Sequence, residues 1–337
     1  MLGGIAVLLV FGLVLRWGMQ VSQNAQDRFA SLLAAGMTAT IFFYIGVNLM
    51  MVMGLAPVVG IPLPFMSHGG SSRQARAILE GLNADVVTFN QETDVDVLAE
   101  GGLLPANWRE LLPNGASPYY SLPAFLVRAG NPLGIADWDD LARADVAPVF
   151  PNPKTSGNGR YTYLAAYAFE LARNGGDQAG AQEFVRTIFS SVPVFDTGGR
   201  AATQTFAERG IGDVLVTFEA ETAQIATEYA AQGFERVTPS QSLFAAFPAA
   251  VVAQNTERNG STEVATAYLE WLYSPEAQRI LAENAYRVTD EAVAAEFADR
   301  QAAVTLVTVD AVFGGWAAIR ADHLADGAIL DQVFVNQ

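Results

Sequence analysis

The pattern of apolar and polar positions changes character once along this chain, between Met66 and Ser72. Before that point apolar residues run together almost without interruption. Leu2–Leu15 is uncharged, and residues 29–66 contain no charged side chain at all. The second run is long enough for a bilayer span, which takes roughly 20 apolar residues, plus an apolar loop; the first supplies about three quarters of a span. Pro62 and Pro64 end the second run as a helix, because each removes a backbone donor and drives the preceding residue towards extended geometry. Arg16 and Arg28 lie in the connection, which predicts that the connection is cytoplasmic and that the chain from Ser67 emerges on the outer face. A buried globular hairpin is the alternative. No basic stretch precedes Leu2 and no small-residue cleavage site follows closely, so a cleavable signal peptide is not expected.

From Ser72 onward the apolar positions recur with helical and strand periods. Residues 73–82 read as a short amphipathic helix, 85–89 as a strand and 95–100 as a second helix. Strands are predicted at 122–127, 146–150, 192–195, 213–218, 234–237 and 249–253. Residues 161–173 form a helix with Tyr161, Leu164, Ala165, Ala168 and Leu171 on one face. Further helices fill 201–208, 219–231 and 263–273, and Ser274-Pro275 supplies a cap and a first-turn proline for another. Strands alternating with helices predict an α/β architecture with a parallel, helix-covered sheet.

Charge sharpens the division. The net charge is −16, yet residues 1–66 carry only Arg16, Asp27 and Arg28, which leaves −17 on residues 67–337. So acidic a surface argues against nucleic acid or anionic lipid as a partner of the second part. There is no cysteine, which excludes disulfides, thiolate metal sites and a cysteine nucleophile. His68 and His323 are the only histidines, too far apart in sequence to suggest a metal site, and His323 is expected on the surface of the last helix. The acid pair Asp139-Asp140 is expected on a solvated face, and Lys154, the single lysine, in a loop. Nucleophile-elbow, phosphate-loop and paired-carboxylate signatures are missing, so no enzyme activity is expected.

Three loops invite chemistry of another kind. Pro151–Gly159 follows a strand and opens a helix, Asp196–Arg200 repeats that arrangement, and Ser67–Ser72 opens the helix at Arg73. Hydroxyls and glycines at a helix N-terminus leave backbone N–H groups aimed at one point, where the helix dipole favours an anion. Each could be no more than a capped turn. Three in one α/β segment suggest a ligand, because ligands there gather at the C-terminal ends of strands.

Residues 1–72 resemble the C-terminal part of the peptidoglycan polymerases of the shape, elongation, division and sporulation family, the RodA/FtsW type. The carrying runs are Asn24–Phe29, Gly46–Asn48 and above all Pro57–Ser72. The resemblance covers about two of that family's ten helices and lacks its final helix. It also lacks the extracellular loop with the catalytic aspartate, so polymerase activity is not expected.

Residues 67–337 resemble the sulfate/thiosulfate-binding proteins of ABC importers. The carrying residues are Ser67–Ser71, Pro151–Gly157 with Tyr163–Ala166, Glu208–Leu215, Thr238–Ser240, Tyr273–Glu276 and Phe313–Trp316. The resemblance implies a type II periplasmic binding fold whose two lobes close on the ligand. Lobe I takes in about 67–121 and 240–337, and lobe II about 122–239. It further implies a dehydrated sulfate or thiosulfate held by neutral hydrogen bonds, with no catalysis, cofactor or metal, and ABC permease and ATPase subunits as partners. Carried over position by position, Ser71 and Ser156 donate hydroxyls, and Gly157, Asn158 and Gly199 donate backbone N–H groups. Asn158 departs from the family's usual glycine. Phe218 stands where well-known members have a tryptophan whose indole N–H binds the anion, so one donor is lost unless another group or water replaces it. The family's first strand and helix should precede Ser67, where membrane-like sequence stands; their absence is expected to expose ladder groups and apolar surface.

The expectation is an extracytoplasmic or periplasmic oxyanion-binding domain, residues 67–337, joined to a two-helix membrane segment, residues 1–66. A polymerase remnant and a non-functional fusion product are the alternatives.

Overall fold

The structure, a computed structural model, describes residues 16–17, 19–22 and 71–334. The expected spans over 2–15 and 29–66, and their orientation, lie outside the described residues. Among the described residues no helix is long and apolar enough to cross a membrane. The chain divides into two units, Met1–Gly69 and Gly70–Gln337. All the named elements belong to the second unit.

Helix α1 (Ser71–Leu79) leads through a turn at Gly81 into β1 (Val86–Thr88), followed by α2 (Glu92–Glu100). After an irregular stretch come β2 (Tyr119–Ser121), β3 (Pro123–Val127) and β4 (Pro148–Val149). Helices α3 (Gly157–Arg173), α4 (Gln178–Ser190) and α5 (Gly199–Thr203) precede β5 (Val214–Phe218) and α6 (Glu219–Glu228). Four short strands come next: β6 (Glu235–Val237), β7 (Gln241–Leu243), β8 (Ala245–Phe247) and β9 (Ala249–Val251). The named elements end with α7 (Thr262–Trp271), α8 (Pro275–Glu283), β10 (Arg287–Val288), β11 (Thr305–Val307) and α9 (Ile329–Phe334).

Strand order corrects the expected parallel sheet. The four-stranded sheet runs β4-β5-β3-β6, parallel only between β4 and β5 and antiparallel on both sides of β3. The continuous apolar runs of β3 and β5 report burial on both faces, which is common in parallel sheets but does not fix direction. Elsewhere β9 pairs antiparallel with β1, β2 lies between β10 and β8, and β11 runs parallel to β7.

Other boundaries shift for local reasons. Residues 192–195 form no strand: Pro193 lacks a donor, and the stretch leads only to a single bridge between Pro151 and Asp196. Helix α3 begins at Gly157, four residues before the expected start, because two glycines and Asn158 read as loop while Ser156 caps them. Helix α4 has no counterpart in the sequence pattern described above, although Ala181, Phe184, Val185, Ile188 and Phe189 are its buried stripe and Asp177 its cap. Ser274 caps α8 as expected, accepting from the Ala277 N–H.

His323 is buried rather than exposed, and it precedes the last helix. Its Nδ1 lies 2.7 Å from the Tyr163 hydroxyl, against the rings of Tyr167 and Phe313. It packs against the main core, which joins β3, β5, α3 and α4 to Val309, Ile319, Leu330 and Val333 near the C-terminus. Aromatic side chains fill much of that core: Phe189 alone touches Phe150, Tyr163, Phe195 and Phe334.

A second core lies around β1, where Val87, Phe89, Ala250 and Val252 pack on Ile78, Leu98 and Trp108. Among the described residues β1 pairs with β9 alone, and α7 leaves Val264, Tyr268 and Trp271 exposed at helical spacing.

Candidate functional site

Strand β4 ends at Val149 beside β5, and Pro151–Gly159 then folds back on itself. The Asn152 side chain accepts from the Lys154 N–H at 2.8 Å, and the Asn152 carbonyl accepts from the N–H groups of Thr155 and Ser156. This turn is stitched to the second loop. Asn152 N–H donates to the Asp196 carbonyl at 2.8 Å, and the Thr155 hydroxyl donates to the Thr197 carbonyl at 3.1 Å. Two loops about 40 residues apart in sequence are thereby held side by side.

Each loop ends in a helix N-terminus. Ser156 is the cap of α3; its hydroxyl accepts from the Gly159 N–H at 3.4 Å, which leaves its own hydrogen free to donate. The N–H groups of Gly157 and Asn158 have no partner within the helix, as at any N-terminus. Gly159 must be glycine here, since a Cβ would stand 2.2 Å from the Pro151 carbonyl oxygen. Gly199 opens α5, and a Cβ placed there would lie 3.5 Å from Asn158 Nδ2. The first turns of α3 and α5 therefore meet at one place.

The Asn158 side chain is buried in that place. Its Nδ2 donates to the Thr217 hydroxyl at 2.7 Å and to Glu221 Oε2 at 3.1 Å, while its Oδ1 has no partner. The Thr217 hydroxyl also donates to Glu221 Oε2. Burial raises the Glu221 carboxyl above the usual carboxylate range, and among the described residues no cation opposes this, so the group tends towards its neutral form. Phe218, next to Thr217 in the chain and fully buried, stands edge-on to Tyr161 and Phe247.

The other wall comes from the end of β1. A Cβ on Gly157 would lie 2.9 Å from Asn90 Oδ1, and Arg160 Nη1 donates to Gln91 Oε1 at 2.6 Å. Gln91 is wholly buried and its Nε2 has no partner. Burial also lowers the Arg160 pKa.

Of the six residues named from the sequence, Ser156, Gly157, Asn158, Gly199 and Phe218 gather here. Ser71 begins α1, and its side chain lies outside the described residues. Sequence reasoning misses Gln91, Arg160, Thr217 and Glu221; the signal for Gln91 is a polar residue just beyond the C-terminal end of a strand. The Asp139-Asp140 pair is solvated in part, Asp140 closing a capping box with Asp137. Lys154 is a loop residue paired with Asp331. A separate apolar cavity of about 310 Å³, lined by Trp108, Leu112, Val251 and Leu269, involves none of the site residues.

Two helix N-termini, a cap hydroxyl and buried polar side chains make this place a candidate site for a small anion. The profile of the family described as bacterial extracellular solute-binding protein matches residues 66–287, and the chain belongs to that family. The thiosulfate-binding protein of Escherichia coli is 51% identical over 79% of this chain and 79% of its own. The sulfate-binding protein of Salmonella typhimurium is 47% identical over 79% and 81%. Among solved structures, the sulfate-binding protein SubI from Mycobacterium tuberculosis superposes with a TM-score of 0.69 at 35% identity, covering 76% of this chain and 86% of that one. The fold is that of the type II periplasmic binding proteins. Residues 1–92 match a second family, described as cell cycle protein, so the chain joins parts of two families that overlap over residues 66–92.

Proposed function

We propose that this chain is the substrate-binding component of a sulfate/thiosulfate ABC importer. It takes up a dehydrated tetrahedral oxyanion without transforming it and presents it to permease and ATPase subunits. The observation that carries this is the meeting of two helix N-termini, at Gly157-Asn158 and at Gly199, beside the Ser156 hydroxyl. Backbone N–H groups and a hydroxyl can hold a dianion without a counter-charge, so a protein of net charge −16 can bind one. Ser71 supplies a second hydroxyl from lobe I. Closure brings lobe I (about 67–121 and 240–337) onto lobe II (about 122–239), with Gln91 and Arg160 at the seam. Residues 1–66 tether the domain to the outer face of the membrane, and the family's first strand-helix unit is missing.

Calorimetry on the full chain in detergent micelles tests this. Heat with sodium sulfate or sodium thiosulfate supports it; no heat with either, on a sample that melts cooperatively, would sink it. The match of residues 1–92 favours one other reading, a polymerase remnant. A lipid-linked precursor turnover assay should then give product, whereas a binding component gives none.

A further inference from the structure

Resting on the two-lobe reading above, we propose that Glu219 and Arg287 are positioning residues that form the pivot of lobe closure. They set oxyanion affinity through the range over which the lobes open, not through contact with the anion.

The chain leaves the three-stranded sheet β10-β2-β8 for the four-stranded sheet β4-β5-β3-β6 at Leu122, the one residue between β2 and β3. It starts back at Thr238, just past β6, on the way to β8. Both crossings meet at Glu219, the first residue of α6. The Glu219 N–H donates to the Leu122 carbonyl at 2.8 Å, and Glu219 Oε1 accepts from the Thr238 hydroxyl at 3.2 Å. One residue on, the Ala220 N–H donates to the Ser121 hydroxyl oxygen at 3.4 Å. The crossings are also tied to each other, since the Ser242 hydroxyl donates to the Pro123 carbonyl at 2.7 Å. Arg287 reaches the same point from the other sheet. It lies opposite Tyr120 of β2 and holds both Glu219 oxygens, at 2.6 and 2.9 Å.

Hinges are built from a few residues at the ends of elements, which is where Leu122, Glu219 and Thr238 stand. Groups near a rotation axis move least, so bonds made there persist as the lobes open. A contact farther out, such as Arg160 Nη1 to Gln91 Oε1, is made and broken. A guanidinium gripping a carboxylate by two parallel bonds has a fixed relative orientation, which confines the rotation to one axis. The choice of charged residues fits this task. A buried ion pair adds little net stability over apolar residues of similar volume, and its best-attested use is to fix one arrangement among several. Apparent affinity falls in proportion to the fraction of molecules in the binding-competent arrangement, so a looser pivot weakens binding while the anion's own donors stay unchanged.

The test uses the full chain in detergent micelles. The sequence has no cysteine, so Glu100→Cys at the end of α2 and Glu228→Cys at the end of α6, both exposed, take one spin label on each lobe. The variant is Glu219→Leu/Arg287→Met, which removes both charges together and is expected to keep most of the stability. Without ligand, its distribution of label-to-label distances should be broader than in the otherwise unaltered protein. Calorimetry with sodium thiosulfate and sodium sulfate should show binding weaker by about tenfold, within the usual range of coupling between sites. An unchanged distance distribution and unchanged affinity in the folded variant overturn the pivot and leave the pair a structural one. If the double variant does not fold, Thr238→Val, which removes one bond to Glu219, decides in its place: a broader distribution supports the pivot and an unchanged one overturns it. Absence of heat with either salt in the unaltered protein overturns the oxyanion reading, while the distances still decide the pivot.

Discussion

Arg287 holds Glu219 through two bonds, Nε to Oε2 at 2.6 Å and Nη2 to Oε1 at 2.9 Å, both ends buried. The pair ties β10 to the first turn of α6, joining the C-terminal third of the chain to the four-stranded sheet. Thr238 and the Ala302 carbonyl complete its hydrogen bonds.

Removing one partner strands a buried charge. Arg287→Met and Glu219→Gln are each expected to cost about 3–5 kcal/mol in urea unfolding, whereas the double change Glu219→Leu/Arg287→Met should recover most of that loss. Equal, additive losses in the two single variants and the double one would mean that the two side chains act separately.

How much of the fold is legible in the sequence depends on which interactions are local. Ser274 and Pro275 cap α8 through atoms three residues apart, so the residue types alone specify it. The helix-opening loops at 151–159 and 196–200 are legible for the same reason. Strand direction is not, because β3 pairs with β5 and β6 across roughly 90 or more residues and its unbroken apolar run carries no sign of direction. His323 reads as a surface residue because a polar side chain in an acidic terminal stretch gives no sign of a partner 160 positions away. Within the candidate site, the two helix starts are legible from glycine and hydroxyl placement. The Asn158, Thr217 and Glu221 cluster is not, since it depends on which loop faces which strand.

The proposed function gives Ser156 two tasks that can be separated. Ser156→Ala removes the hydroxyl proposed to donate to the anion and a helix cap whose bond is long. Binding of the preferred oxyanion should fall by about 1.5–3 kcal/mol, and stability by about 0.5 kcal/mol. Ser274→Ala is the control, because it removes a cap remote from the site. It should lower the melting temperature comparably and leave the dissociation constant unchanged. A matching drop in affinity for both variants would show that caps act only through stability.

Gly159 constrains the same loop by its lack of a side chain. A Cβ there meets the Pro151 carbonyl oxygen at 2.2 Å and backbone atoms of Asn152 and Pro153 at 2.9 Å, none of which is a flexible side-chain end. Gly159→Ala must therefore push Pro151–Pro153 away from the start of α3. The expected outcome is a loss of about 1–3 kcal/mol of stability together with loss of oxyanion binding. Gly198→Ala, whose Cβ would meet nothing within 4 Å, should be neutral for stability. Retained binding in Gly159→Ala would mean that the loop can move without disturbing the anion donors.

His323 predicts a particular acid sensitivity. Burial lowers its pKa from the ordinary 6.5 and outweighs the opposing charge of Asp322. Burial raises the pKa of Tyr163, so the phenol stays protonated and donates to a neutral His323 Nδ1. The folded state therefore binds fewer protons than the unfolded one between the depressed pKa and 6.5. The stabilisation is fully present above about pH 6.5 and is lost as the pH falls through that window, by about 1.4 kcal/mol for each unit crossed. His323→Gln keeps an acceptor for Tyr163 and cannot titrate. Urea unfolding from about pH 5 to 8 should show a falling limb below about 6.5 in the unaltered protein, with a flatter profile in His323→Gln. Parallel profiles would show that His323 contributes nothing to the acid loss in this window and would leave it a packing residue only.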